Sequence, residues 1–150
     1  MLTALFVVLV AAANSVQPIN IEARQFEMLL AERKAVYTGD VYVTQGNYTI
    51  NADELVVFFD EDNQITVMEA TGSPATLTDR VRQPPLLITG DSLDYFFEES
   101  TVRASGNSIL KQGEGSVEAD TIVYDLDAET ARAFGGEGRR VRLTLAPASR

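Results

Sequence analysis

A chain of 150 residues, 45% apolar and 23% charged, reads as one globular domain able to bury a core, far from a disordered composition. Its 22 acidic against 12 basic residues leave a net charge of −10, which repels phosphate backbones, so no nucleic-acid partner is expected. Cys and His are absent, which removes disulfides, thiol and imidazole nucleophiles, and the zinc sites built on those ligands.

Residues 2–13 read LTALFVVLVAAA, an uninterrupted apolar run. It is too short for a spanning helix, which needs about 20 residues. It matches the apolar region of a signal peptide, with small residues following, although no Lys or Arg precedes it. Residues 1–15 are therefore expected to be a signal peptide and residues 16–150 a single exported domain. A buried N-terminal strand or helix is the alternative. Next, Ile19 and Ile21 alternate with Asn20 and Glu22, the mark of a half-buried strand. Residues 26–35, FEMLLAERKA, contain good helix formers, but the repeat described below puts a turn at residues 31–34, so they read as strand–turn–strand. Val41 and Val43 then alternate with Tyr42 and Thr44.

Four segments share the pattern Ile/Val-x-Ala/Gly-Asp/Arg-x-apolar-x-apolar: residues 21–28 (IEARQFEM), 50–57 (INADELVV), 88–95 (ITGDSLDY) and 117–124 (VEADTIVY). They start 29, 38 and 29 residues apart, and each is followed by a polar turn and a glycine, at Gly39, Gly72, Gly106 and Gly135. Periods of this size indicate stacked units, each too small to bury its own face. Within the units the period is two: Leu55, Val57 and Phe59 share a face, as do Leu93, Tyr95 and Phe97, and Ile122, Tyr124 and Leu126. Val141, Leu143 and Leu145 repeat this alternation near the end. The glycines predict bends or bulges. Pro84 and Pro85 belong in a connection. Residues 60–63, DEDN, lack the spacing of a calcium loop and read as a solvated turn. The expected fold is all-β: about 12 to 16 short antiparallel strands folded over into a flattened β-jellyroll or β-roll.

In their order and spacing these repeats resemble the LptA/OstA family of lipopolysaccharide-transport proteins, over about residues 17–147. Residues 17–23 (QPINIEA), 37–46 (YTGDVYVTQG), 50–53 (INAD), 70–75 (ATGSPA), 102–110 (VRASGNSIL) and 139–147 (RRVRLTLAP) carry the likeness. Arg24 and Ser108 depart from the pattern, at positions expected to lie off the apolar face. The resemblance implies an OstA-like sheet, open along one side, whose inner face holds lipid A acyl chains of lipopolysaccharide in the periplasm. It implies head-to-tail self-association through edge strands, and partners resembling the inner-membrane LptC and outer-membrane LptD components. It implies no enzyme activity and no cofactor; the sequence holds no phosphate-binding nucleotide loop, so work is supplied by an ATPase elsewhere.

On this reading the lipid-contacting residues are Ile19, Ile21, Val41, Val43, Leu55, Val57, Phe59, Leu77, Leu93, Tyr95, Phe97, Ile122 and Tyr124. Each has a plain alternative as core packing. A polar residue at Leu77 or Phe97 is expected to abolish transport while leaving the fold near native. Pro18 and Arg139, Arg140 and Arg142 near the two ends read as guards against stray edge pairing, with lipid phosphate or an acidic neighbour as the other reading. Other functions stay open. An LptC-like member would have a spanning anchor, and an LptD N-terminal domain would lead into a barrel. A glycan-cleaving enzyme would use paired carboxylates among Asp53, Asp91 and Asp120, whose repeat positions point instead to turns. A structural β-repeat protein would have a filled, dry interior.

Overall fold

The computed structural model describes residues 17–148; the expected signal peptide lies outside the described residues. The described chain is almost entirely antiparallel sheet. Ten strands form it: β1 (Ile19–Glu22), β2 (Gln25–Leu29), β3 (Lys34–Gln45), β4 (Tyr48–Phe59), β5 (Ile65–Asp79), β6 (Leu86–Phe96), β7 (Thr101–Gln112), β8 (Gly115–Asp125), β9 (Thr130–Phe134) and β10 (Arg142–Thr144). A short 3₁₀ turn, Leu30–Glu32, separates β2 from β3, so residues 26–35 are strand–turn–strand as their repeat position predicts. From β3 to β8 each strand pairs with the next; β1 and β2 both pair with β3, while β9 and β10 both pair with β8.

The strand count is ten rather than 12 to 16 because the glycines bend strands without ending them. The ladder breaks at one level in five successive pairings: between Thr38 and Val41, Asn51 and Glu54, Thr71 and Ala75, Thr89 and Ser92, and Ser105 and Ser108. These breaks coincide with the Ala/Gly-Asp pairs of the repeat and with Gly39, Gly72 and Gly106, which alternate across the sheet. Together they form a crease at right angles to the strands.

Extra residues at a bulge change which side chains face inward. In β4 the inward set switches from Ile50 and Ala52 to Leu55 and Val57; in β5 it switches from Met68 and Ala70 to Ala75 and Leu77. In β3 and β7 two successive left-handed residues, Gly39–Asp40 and Gly106–Asn107, turn the chain instead. Either way, apolar residues on both sides of the crease stay on one face. That face belongs to a single sheet, yet Leu55, Leu77 and Ile88 on it are 0% exposed. The two halves therefore close on each other as two leaves, and the buried residues form one continuous cluster.

Two expectations change. Ser108 is 1% exposed and faces the core rather than lying off it; its hydroxyl donates to the Asp120 carbonyl at 3.2 Å, which satisfies it beside the crease. Leu143 and Leu145 are 58% and 75% exposed, because only residues 142–144 pair with β8 and nothing covers their outer side.

The crease carries a stability prediction. A Cβ at Gly106, where φ is +77°, would sit 2.5 Å from Asp91 Oδ2; at Gly138, where φ is +73°, it would meet nothing. Left-handed backbone costs an L-residue about 1–2 kcal/mol. Urea denaturation should show that loss for Gly138→Ala and a larger one for Gly106→Ala.

Candidate functional site

The inner faces of the leaves meet in an apolar interior. Opposite the crease, two rows of hairpin turns form the lips of a mouth. One lip comprises residues 46–47, 80–85 and 113–114; the other comprises residues 60–64, 97–100 and 126–129. The lips differ in charge. The second carries Asp60, Glu61, Asp62, Glu98, Glu99, Asp127 and Glu129, with Arg33 of the adjoining β2–β3 turn 3.8 Å from Glu61, whereas the first carries Arg80 and Arg82 against a single Glu114.

All thirteen residues singled out from the sequence are brought together on the inner face. Val41, Val43, Leu55, Val57, Leu77, Leu93, Ile122 and Tyr124 are buried in the cluster, while Ile19, Phe59, Tyr95 and Phe97 pack against it partly buried toward the mouth, and Ile21 does so at the β1–β2 edge beside Phe26 and Tyr37. The sequence reading omitted Ile50, Met68, Leu86, Ile88, Val102 and Leu110, which are equally buried. Their alternation with polar neighbours was the signal available for them.

At the mouth, Tyr95 and Phe97 stack with ring centroids 4.1 Å apart. Phe97, Ile19 and Ile65 line a cleft of about 820 Å³ rimmed by Asp60, Glu98 and Glu99. A smaller cleft of about 390 Å³ lies between Tyr48, Tyr95, Asn47 and Asp127. Burial raises the Tyr48 pKa, with Asp79 adding to the effect; burial raises that of Tyr95 too, helped by Tyr48 and Asp127. Both phenols therefore stay protonated and able to donate hydrogen bonds at neutral pH.

One cluster ties the lips together. Arg82, in the turn between β5 and β6, donates through Nη1 to the Tyr124 hydroxyl and through Nη2 to Glu129 Oε1 at 2.9 Å. Asp79 fixes that turn: its Oδ1 accepts from the amides of Val81 and Arg82 at 3.1 and 3.2 Å, and its Oδ2 lies 3.8 Å from Arg82 Nε. Burial opposes the guanidinium charge, but the Tyr124 hydrogen bond and Glu129 outweigh it and raise the pKa. No sequence motif marks this cluster, since strand-end residues Asp79 and Tyr124 and turn residues Arg82 and Glu129 meet only in the folded-over sheet.

Two of the three carboxylates considered for catalysis, Asp91 and Asp120, are occupied along the crease. Asp91 Oδ2 accepts from Asn107 Nδ2 at 3.3 Å, and Asp120 Oδ1 pairs with Arg139 Nη1 at 3.4 Å. Arg142 lies 3.9 Å from Glu118, so two of the three C-terminal arginines are engaged by their own neighbour strand. Asp60 accepts the amides of Asp62 and Gln64 at 2.8 and 2.9 Å and forms a turn.

Comparison with known proteins bears on this arrangement. Residues 20–130 match the family model described as LptA/(LptD N-terminal domain) LPS transport protein. The lipopolysaccharide export system protein LptA of Escherichia coli strain K12 is 32% identical over 133 residues, covering 87% of this chain and 72% of that protein. The lipopolysaccharide export system protein LptH of Pseudomonas aeruginosa is 28% identical over 128 residues, covering 83% and 73%. The crystal structure of LptH from Pseudomonas aeruginosa, the LptA-homologous periplasmic component of the conserved lipopolysaccharide transport device, superposes with a TM-score of 0.80 at 24% identity, over 87% of this chain and 96% of that one. The fold is the same.

Burial separates the two residues proposed above as equivalent probes. Leu77 is 0% exposed, so a polar side chain there breaks the core and the expected near-native fold is not available to it. Leu77→Ala should cost about 2–5 kcal/mol, and Phe97→Ala, at the half-exposed mouth, clearly less. Chemical denaturation of the two variants measures the difference.

Proposed function

The chain belongs to the LptA/(LptD N-terminal domain) family of LPS transport proteins, and on that premise we propose that it carries lipopolysaccharide across the periplasm, its acyl chains between the two leaves and its polar headgroup outside the mouth. The observation that carries this reading is the continuity of the apolar face. It runs across the strands from Ile19 and Ile21 to Ile122 and Tyr124, with buried Asp79 confined to the mouth end of β5 and Ser108 beside the crease. At about 4.8 Å per strand, the path from β1 through β3 to β8 is a track roughly 29 Å long.

The physics suits conduction rather than storage. A buried CH₂ is worth about 0.8 kcal/mol, so a chain of roughly 12 to 14 carbons gains on the order of 10 kcal/mol gross. A closed pocket with that gain would release its ligand slowly. Along a uniform track each step exchanges one apolar contact for another, and net direction comes from work done elsewhere. No catalytic step is proposed, and the relatives named above are transport proteins.

The edges suit a bridge. β1 and β2 present one open side of the sheet, with Phe26 and Met28 exposed; β9 and β10 present the other, with Phe134 and Leu143 exposed. A strand edge with unpaired amides and carbonyls can add a further strand. Acidic Glu22 and Glu27 on the first side face basic Arg132 and Arg142 on the second when copies stack head to tail. LptC-like and LptD-like components would meet the same two edges. The tight packing around Leu55, Leu77 and Ile88 favours a second reading, a structural β-repeat protein with a dry core.

Two experiments follow. A photoreactive phenylalanine replacing Phe97 should crosslink to labelled lipopolysaccharide in cells, dependent on the inner-membrane ATPase, and Phe97→Asp should abolish transport in a folded, exported protein. A folded variant with no adduct from positions 97 and 19 would select the structural reading. In sedimentation velocity the exported domain should form concentration-dependent oligomers, and Ile21→Pro, which removes an edge donor, should shift it to monomer.

A further inference from the structure

We propose that the Arg82 bridge is a gate across the mouth, opened when a phosphate monoester on the headgroup of the carried lipid takes the place of Glu129 on the guanidinium.

The inference rests on the carrier reading above and on three features of the bridge. First, it crosses the mouth: Arg82 and Glu129 lie 47 residues apart in sequence and on opposite lips. A lipid with acyl chains inside and sugars outside cannot move past this point while the bridge holds. Second, the partners of Arg82 are unequally accessible. The side chain of Asp79 is 8% exposed, and that of Arg82 15%, but that of Glu129 is 63% exposed. An anion arriving from solvent can therefore displace Glu129 while Asp79, on Arg82's own lip, keeps the guanidinium in place. Third, charge directs the anion to this lip. The facing lip is lined by carboxylates, whereas Arg82 shares its turn with Arg80, also exposed to solvent. Guanidinium binds phosphate through paired, geometrically matched hydrogen bonds, better than it binds a single oxygen of a mobile carboxylate.

Displacement has a mechanical consequence. Once Glu129 leaves Arg82, the turn between β8 and β9 loses its ion pair to the opposite lip, and the hydrogen bond from Arg82 to the neutral Tyr124 hydroxyl is what still ties the two lips there; it gives way more readily than the ion pair as the headgroup parts them. The chain contains no cysteine, so the motion can be read with labels at Gln83→Cys and Ala128→Cys, both exposed turn positions flanking the bridge.

The test uses the exported chain with that label pair, phosphorylated lipid A, the same lipid stripped of its phosphates, and inorganic phosphate alone. Phosphorylated lipid should bind the parent at least about tenfold more tightly than stripped lipid, the scale of one charge-assisted contact, and should lengthen the distance between the labels. Arg82→Gln should lose that discrimination while still binding stripped lipid. Glu129→Gln, which frees Arg82 without removing it, should bind phosphorylated lipid more tightly and show parted lips before lipid is added. Retained discrimination in Arg82→Gln, weaker binding in Glu129→Gln, or an unchanged distance in lipid-bound parent would overturn the gate. Opening by inorganic phosphate alone would make this a free-phosphate site and overturn the headgroup assignment. If the parent binds neither lipid, the carrier reading falls and takes the gate with it; if it binds both equally with the lips unmoved, the gate alone falls.

Discussion

A sheet with one apolar face and no second layer has nowhere to put that face except against itself. Everything else in this molecule follows from that constraint. Every long strand must bend, and all must bend at one level, or the leaves would not close. The repeat meets this requirement by placing an Ala/Gly-Asp pair or a glycine at the same height in each successive strand. Bulges supply the bend without breaking the chain of paired strands. Where extra residues would turn apolar side chains outward, the change of parity in β4 and β5 turns them back in. The crease thus decides both where the interior lies and which residues face it.

An interior made this way differs from the core of a two-layer domain. Its two walls belong to one sheet and are joined continuously only along the crease. Between the lips, contacts are between side chains of turns. Opening the leaves therefore breaks no strand pairing, only apolar contact and the few polar links at the mouth. Lipid entering between the leaves replaces one apolar partner of Leu55 or Leu77 with another, so the net gain is the acyl surface removed from water less the contact already made in the closed form. Such a difference moderates an affinity that would otherwise prevent release.

The sequence made the architecture legible because apolar alternation and the repeat are local signals that survive without knowledge of contacts. The inward faces of Leu55–Val57, Leu93–Tyr95 and Ile122–Tyr124 could be read directly, and so could the bends. Strand number could not, because nothing local distinguishes a bulge inside a strand from a turn between two strands. Ser108 was misplaced for a different reason: the left-handed pair Gly106–Asn107 turns β7 without changing which alternate residues face inward, so Ser108 stays in step with Val102 and Ala104, and a hydroxyl whose partner is a backbone carbonyl leaves no mark in composition. Leu143 and Leu145 alternate like core residues, yet at an edge there is no facing leaf to cover them. The mouth cluster was invisible, since Asp79 and Arg82 come from one stretch of chain and Tyr124 and Glu129 from another, and the two meet only after the sheet has folded over.

The acidity of the chain takes on a more specific meaning in this geometry. A net charge of −10 spread evenly would serve solubility alone. Here seven carboxylates stand along one lip and face a lip whose arginines lie in a single turn. Repulsion among the carboxylates does not close the mouth, and neither do the neutral turns at residues 46–47. The attraction across it is concentrated at Arg82, whose guanidinium is shielded by Asp79 and Tyr124 and completed by an exposed Glu129. An electrostatic closure concentrated at one point, with one replaceable partner, yields to a competing anion far more readily than a closure distributed along the whole slit. The apolar track needs leaves that close without lipid and part with it, and the placement of that one arginine reconciles the two.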